Sequence, residues 1–188
     1  MMKKFLQFFA TALMVVPMLA VAHGPTRQQV KETVFINAAP EKVWEVVSDF
    51  SGLHNWHPAV ASTEMKEDNI RVLTLKAEGN PTITEELDKI DNEKMMMIYT
   101  IEEMSVVKTI TYNSKDTPYY TLPVNNYKAW LSVKPKDGGS EVTWKAKFYR
   151  SFMDNPPVPE GQSDDDAVKA IEGVATAGLN NLKAILEK

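Results

Sequence analysis

The chain has 188 residues, sets 21 Lys+Arg against 25 Asp+Glu for a net charge of −4, and contains no cysteine. That length makes one domain with a sizeable core. The acidic, patch-free balance argues against nucleic acid and anionic lipid surfaces, and the missing cysteines exclude iron–sulfur clusters, thiolate metal sites and cysteine nucleophiles.

The first stretch reads as a secretory signal peptide. Lys3 and Lys4 precede an apolar run to Ala22 that is broken only by Gln7, Thr11 and Pro17. It closes on Ala20-Val21-Ala22, a small-x-small cleavage pattern. Phe5–Ala22 is almost long enough to span a bilayer, but Pro17 and the cleavage pattern favour removal over anchoring. No cysteine follows, so a lipoprotein anchor is excluded. The expected organisation is a signal peptide over 1–22 and one domain over 23–188, with no membrane insertion after cleavage.

Residues 29–38, "QVKETVFINA", read as an antiparallel strand. Pro40 opens a helix at its first position, where a missing N–H costs nothing. Val43, Trp44, Val47 and Phe50 then share one face at helical spacing. Ser51-Gly52 stops that helix, and a short second one carries Leu53–Trp56 into Pro58. From Ala61 to Phe152 the pattern is strands. Arg71, Leu73 and Leu75 fall on one parity; so do Ile83, Glu85 and Leu87; so do Met97, Tyr99 and Ile101. Tyr127, Ala129, Leu131 and Val133 oppose Trp130, and Val142, Trp144, Ala146 and Phe148 oppose Thr143, Lys145 and Lys147. Such alternation predicts a sheet with one covered face, and Asp137-Gly138-Gly139 predicts a hairpin between the last two strands.

A Pro-rich connector, "DNPPVPEGQ", leads to a long terminal helix. Ser163 and Asp166 form a capping pattern at its start, and Asp164, Asp165 and Asp166 suit the positive end of the helix dipole. Val168, Ile171, Val174, Ala175, Gly178, Leu182 and Ile185 form its apolar stripe. A helix of that length predicts a sheet curled around it, an arrangement that commonly leaves a cavity between the two.

"AAPEKVWEVVSDFSGLHNWHPAV" resembles the opening of the START-like, Bet v 1-like (SRPBCC) superfamily of helix-grip proteins. The resemblance covers nearly all of the chain after the leader. "HGPTRQQV", "WHPAVASTE", "RVLTL", "ITEEL", "LPVNNY" and "VTWKAKFYR" look like the MxaD-type periplasmic proteins of methanol oxidation. It implies an α+β fold: a seven-stranded antiparallel sheet, two short helices and a long C-terminal helix around an apolar cavity. It also implies a non-catalytic role, either binding an apolar small molecule or assisting methanol dehydrogenase with its cytochrome acceptor. A minority of the superfamily are cyclases or hydrolytic enzymes, which keeps a polyketide cyclase/dehydratase-like or hydrolase-like activity as the alternative. "MSVVKTITYNSKDTPYYT" (104–121) departs from the MxaD-type pattern as an extra segment.

Against that background the candidate residues divide as follows. A spacing of three puts His54 and His57 on one helical face, but no further ligand converges, so no metal and no cofactor are expected. In the family, Trp56-His57-Pro58 is a helix corner where Trp56 seals the cavity mouth. His23 would be a new N-terminus and could chelate copper, or simply fray. Arg71 and Glu85 form either a structural ion pair or the polar end of a ligand pocket. Tyr99, Tyr127, Trp144 and Phe148 share the inward face and line the expected cavity. Met95–Met97 read as adaptable packing. Trp130, Tyr119 and Tyr120 mark either a protein contact or aromatics covered by 104–121. An enzyme would have to use His57, Arg71 and Glu85, and no nucleophile accompanies them.

Overall fold

The computed structural model describes residues 24–188; the expected leader and His23 lie outside them. Strand β1 (Gln28–Ile36) turns Val30 and Ile36 inward and leaves Phe35 exposed. Helix α1 (Pro40–Ser48) starts on its proline and buries Val43, Trp44 and Val47. The turn after it is closed by Asp49, whose Oδ1 accepts from the Ser51 N–H at 3.0 Å. A Cβ on Gly52 would lie 2.3 Å from Asp49 Oδ2, so a larger residue there would displace the carboxylate that closes the turn. The one-turn helix α2 (Leu53–Trp56) buries both its end residues.

Nine strands form among the described residues, and the expected alternation holds on β3, β4, β5, β8 and β9. After β1 come β2 (Val60–Glu67), β3 (Ile70–Leu75), β4 (Thr82–Asp91), β5 (Met96–Met104), β6 (Val106–Tyr112), β7 (Lys115–Tyr120), β8 (Val124–Lys136) and β9 (Gly139–Arg150). Seven of them form one curved antiparallel sheet in the order β1-β9-β8-β5-β4-β3-β2. The expected turn at Asp137 is there: Lys136 pairs with Gly139 across a two-residue loop in which Asp137 and Gly138 both have positive φ. Strands β6 and β7 pair only with each other. They are the extra 104–121 segment, folded as a hairpin inserted between β5 and β8.

Helix α3 (Asp164–Leu186) lies on the same sheet face as α1 and α2. Its start carries a complete capping box: Asp166 N–H donates to Ser163 Oγ at 3.1 Å, and Ser163 N–H donates to Asp166 Oδ2 at 3.0 Å. The buried row runs Ala167, Ile171, Ala175, Gly178, Leu179, Leu182 and Leu186. Ile185 does not belong to it and is exposed. At 100° per residue the stripe drifts, and Leu186 faces the sheet in its place. Arg150 anchors the helix start, donating from Nε to Phe152 O and from Nη2 to Asp154 O, with Nη1 3.3 Å from Asp164 Oδ2. Among the described residues no helix is long and apolar enough to cross a membrane.

Candidate functional site

The sheet's inward parity carries a continuous row of rings and charges. Arg71 on β3 and Glu85 on β4 are directly opposite in register. Nε and Nη2 of Arg71 each lie 2.7 Å from Glu85 Oε2. Nη1 donates to Phe50 O at 2.6 Å, and the guanidinium lies 4.0 Å from the Phe50 ring centroid and 5.3 Å from that of Tyr99. The pair is the buried ion pair that the strand parity allowed. Each charge is hydrogen-bonded, as burial of a charge requires. Burial pushes the Glu85 carboxyl above its ordinary value, and Arg71 opposes that shift.

Tyr99 on β5 and Tyr127 on β8 continue the row, with ring centroids 6.3 Å apart. Tyr127 stacks on Phe148 at 6.2 Å, and Trp144 Nε1–H donates to its hydroxyl oxygen at 3.2 Å. Burial raises both phenols well above their ordinary pKa, so they act as neutral hydrogen-bonding groups.

His54 and His57 do not share a face. His57 caps α2 with an extended backbone, φ −95° and ψ 116°, because Pro58 disfavours helical geometry in the residue before it. Its ring is therefore buried while His54 stays exposed. His57 Nε2–H donates to Val174 O on α3 at 3.0 Å, and Nδ1 accepts from Ala59 N–H at 3.3 Å. Both nitrogens are thus engaged with backbone, and burial holds the ring's pKa below 6.5, so it is neutral. This is a structural joint between α2 and α3 and leaves no lone pair for a metal. The Trp56, His57 and Trp144 rings meet edge-on or tilted at 6.0–6.2 Å. Gly178 allows the approach: a Cβ there would lie 2.6 Å from His57 Cδ2 and 3.1 Å from Trp144 Cζ3.

A cavity of about 50 Å³ lies between the sheet and α3. Its wall is mostly apolar, with Leu53, Leu73, Ile83, Ile101, Ile171 and Val174 contributing. Of the residues expected at a ligand pocket, His57, Glu85, Tyr127 and Trp144 line it. Trp56, Arg71, Tyr99 and Phe148 stand behind that wall as buried packing. The volume is well under the roughly 300–1,000 Å³ of a drug-sized pocket; the aromatic row fills most of the interior.

A larger groove of about 390 Å³ opens where β5 and β8 part. Sequence reasoning missed it. Trp130 is half-buried on the outer face, where Lys145 Nζ lies 5.3 Å from its ring centroid. The hairpin's own contacts run to the connector: Tyr112 Oη donates to Pro157 O and Tyr119 Oη to Glu160 O.

Residues 27–187 match the family described as polyketide cyclase / dehydrase and lipid transport. No curated protein matches the sequence. Among solved structures, XoxI from Bacillus cereus is similar at 23% identity and TM-score 0.66, over 84% of this chain and 94% of its own. The Zhui aromatase/cyclase from Streptomyces sp. R1128 is similar at 18% identity and TM-score 0.59, over 86% and 94%. Ara h 8.0201 is similar at 16% identity and TM-score 0.61, over 86% and 98%. These likenesses show a shared fold over 84–86% of this chain, and the family match runs from residue 27 to residue 187: the chain belongs to the polyketide cyclase/dehydrase and lipid transport family, within the SRPBCC helix-grip superfamily.

Proposed function

We propose that this is a non-catalytic helix-grip protein of the periplasm that binds an apolar small molecule between sheet and α3, in service of a partner redox enzyme. The observation that supports binding over catalysis is how the polar groups of the cavity are spent. Both His57 nitrogens are bonded to backbone, and Glu85 is held in an ion pair by the buried Arg71. A cavity that is already apolar and partly hollow takes a ligand at little cost in broken hydrogen bonds. Its small volume means that α3 and the sheet part somewhat when the ligand enters.

The periplasmic setting and the role beside methanol dehydrogenase and its cytochrome rest on the leader pattern and on the MxaD-type motifs. The exported protein should begin at His23; N-terminal sequencing that finds Met1 or Lys3 retained would refute the leader. Adding the protein to methanol dehydrogenase and its cytochrome should accelerate electron transfer. An unchanged rate would remove the redox role and leave ligand binding standing. For binding itself, an environment-sensitive apolar dye should bind the folded protein one to one. No dye binding would mean that the interior is simply filled.

Cyclase- or dehydratase-like catalysis is the second reading. It is favoured by one observation: the Glu85 carboxyl, raised by burial, faces the cavity. A general base there would lose turnover in Glu85→Gln.

A further inference from the structure

The β5–β8 ladder stops early. Pairing runs from Met96↔Ser132 to Thr100↔Lys128 and then ends, although β5 continues to Met104 and β8 begins at Val124. The next rungs would join Ile101 to Tyr127, Glu102 to Asn126, Glu103 to Asn125 and Met104 to Val124. All eight of these residues line the 390 Å³ groove. The groove is therefore a breach in the sheet, four rungs long.

Two local features hold it open. On β8 the pairing to β9 shifts between Asn125 and Lys128, and Asn126 sits at φ 48°, so the strand bends away. On the β5 side, Ser105 is drawn to β4: its N–H donates to Thr82 O at 2.9 Å, and Thr82 N–H donates to its Oγ at 2.9 Å. The inserted hairpin then leaves and returns across the gap and supplies Val106 and Tyr120 as its rim.

Ile101 and Tyr127 line both the breach and the inner cavity. They are the wall between the two. Outside that wall the lining is amphipathic. Val106 and Tyr120 are large apolar residues exposed at 52% and 37%. The charged groups are Glu102 and Glu103, and no basic residue lines the groove. The nearest basic residue along β8, Lys128, is already paired with Asp88 at 2.9 Å.

We infer that the breach between β5 and β8 is the entrance to the interior and binds a single-chain amphiphile with a cationic head. Its tail passes Ile101 and Tyr127 toward the apolar cavity, and its head stays between Glu102, Glu103 and the two asparagines. This rests on the ligand-binding reading and adds the route and the head group. The volume suits it, since the breach alone reaches the range of a small-molecule site while the inner cavity does not.

The test uses dodecyltrimethylammonium and dodecyl sulfate, both below micelle formation, as competitors of a neutral apolar dye bound to the full chain. The cationic probe should bind about tenfold more tightly than the anionic one, the upper order that two exposed charge contacts deliver. Glu102→Gln with Glu103→Gln should remove that preference and leave dye affinity unchanged. Glu64→Gln with Glu67→Gln, the same charge change on distant β2, should leave the preference intact. Asn125→Trp, which fills the mouth, should slow dye association several-fold. Dye binding without a head preference, a preference lost equally in both double variants, or unaltered association in Asn125→Trp would overturn the breach as the site. No binding of dye or amphiphile would overturn the ligand-binding reading itself.

Discussion

Helix α3 contains two glycines whose surroundings are opposite, and they make a matched experiment. Gly173 is exposed, and a Cβ there meets nothing within 4 Å. Gly173→Ala should therefore stabilise by about 0.5–1 kcal/mol, the helix-propensity difference. Gly178→Ala carries the same intrinsic gain but puts its methyl 2.6 Å from His57 Cδ2 and 3.1 Å from Trp144 Cζ3. Neither contact is the loose end of a flexible side chain. Turning the imidazole aside breaks its bonds to Val174 O and Ala59 N–H, each worth about 1 kcal/mol net. Keeping it in place forces α3 outward, an overpacking cost of about 1–3 kcal/mol. Subtracting the propensity gain leaves a net destabilisation of roughly 0–2.5 kcal/mol. Urea unfolding followed by tryptophan fluorescence reads both variants, with equal m-values as the check that only stability changed. If Gly178→Ala stabilises as much as Gly173→Ala, then α3 does not approach α2 as closely as described, and the joint at His57 is not a constraint.

Trp144→Ala should cost about 3–5 kcal/mol, because the ring is enclosed by Trp56, His57 and Tyr127 and borders only a small hollow; a loss under about 1.5 kcal/mol in urea unfolding would show a larger hollow than described. Burial keeps His57 below its ordinary pKa of 6.5, so the unfolded chain binds the extra proton first. Stability should therefore be intact above about pH 6.5 and fall as pH drops below it, with His57→Gln flattening that part of the curve. An unchanged slope in the variant would contradict the assignment. Ser163→Ala removes the capping acceptor of Asp166 N–H and should cost about 1 kcal/mol; a cost near zero in the same assay would show that the cap is not needed.

The sheet's inner face was legible because period-two alternation depends on burial alone. Arg71 and Glu85, two charges on an apolar parity, proved to be paired across β3 and β4. The terminal helix and its cap were legible for a similar local reason. The His54–His57 relation was misread because helical spacing was carried one residue past the end of α2, where Pro58 sets the backbone. Strand β2 gave no alternation to read: it is an edge strand, and of its residues only Val60 is buried. The β6–β7 hairpin had a readable turn in Asn113-Ser114, both at positive φ, but its faces are largely exposed and its apolar residues carried no periodic signal. The breach was invisible for a different reason. It depends on which strands are neighbours, and a one-dimensional pattern does not contain that.

Strand β1 has consequences for the order of events during synthesis. It lies at the sheet edge, and its one sheet neighbour is β9: Gln28 pairs with Phe148 and Ile36 with Ser140. The first strand to leave the ribosome thus waits for the last strand, and then for α3, which packs over it. Closing so long a loop must precede any gain from that pairing, which makes folding slow relative to helical domains. A nascent chain ending before Gly139 holds β1 with no partner, its apolar side chains uncovered and open to non-native association. The domain therefore becomes whole only once β9 and α3 have been made, since they alone supply the pairing and the cover of β1.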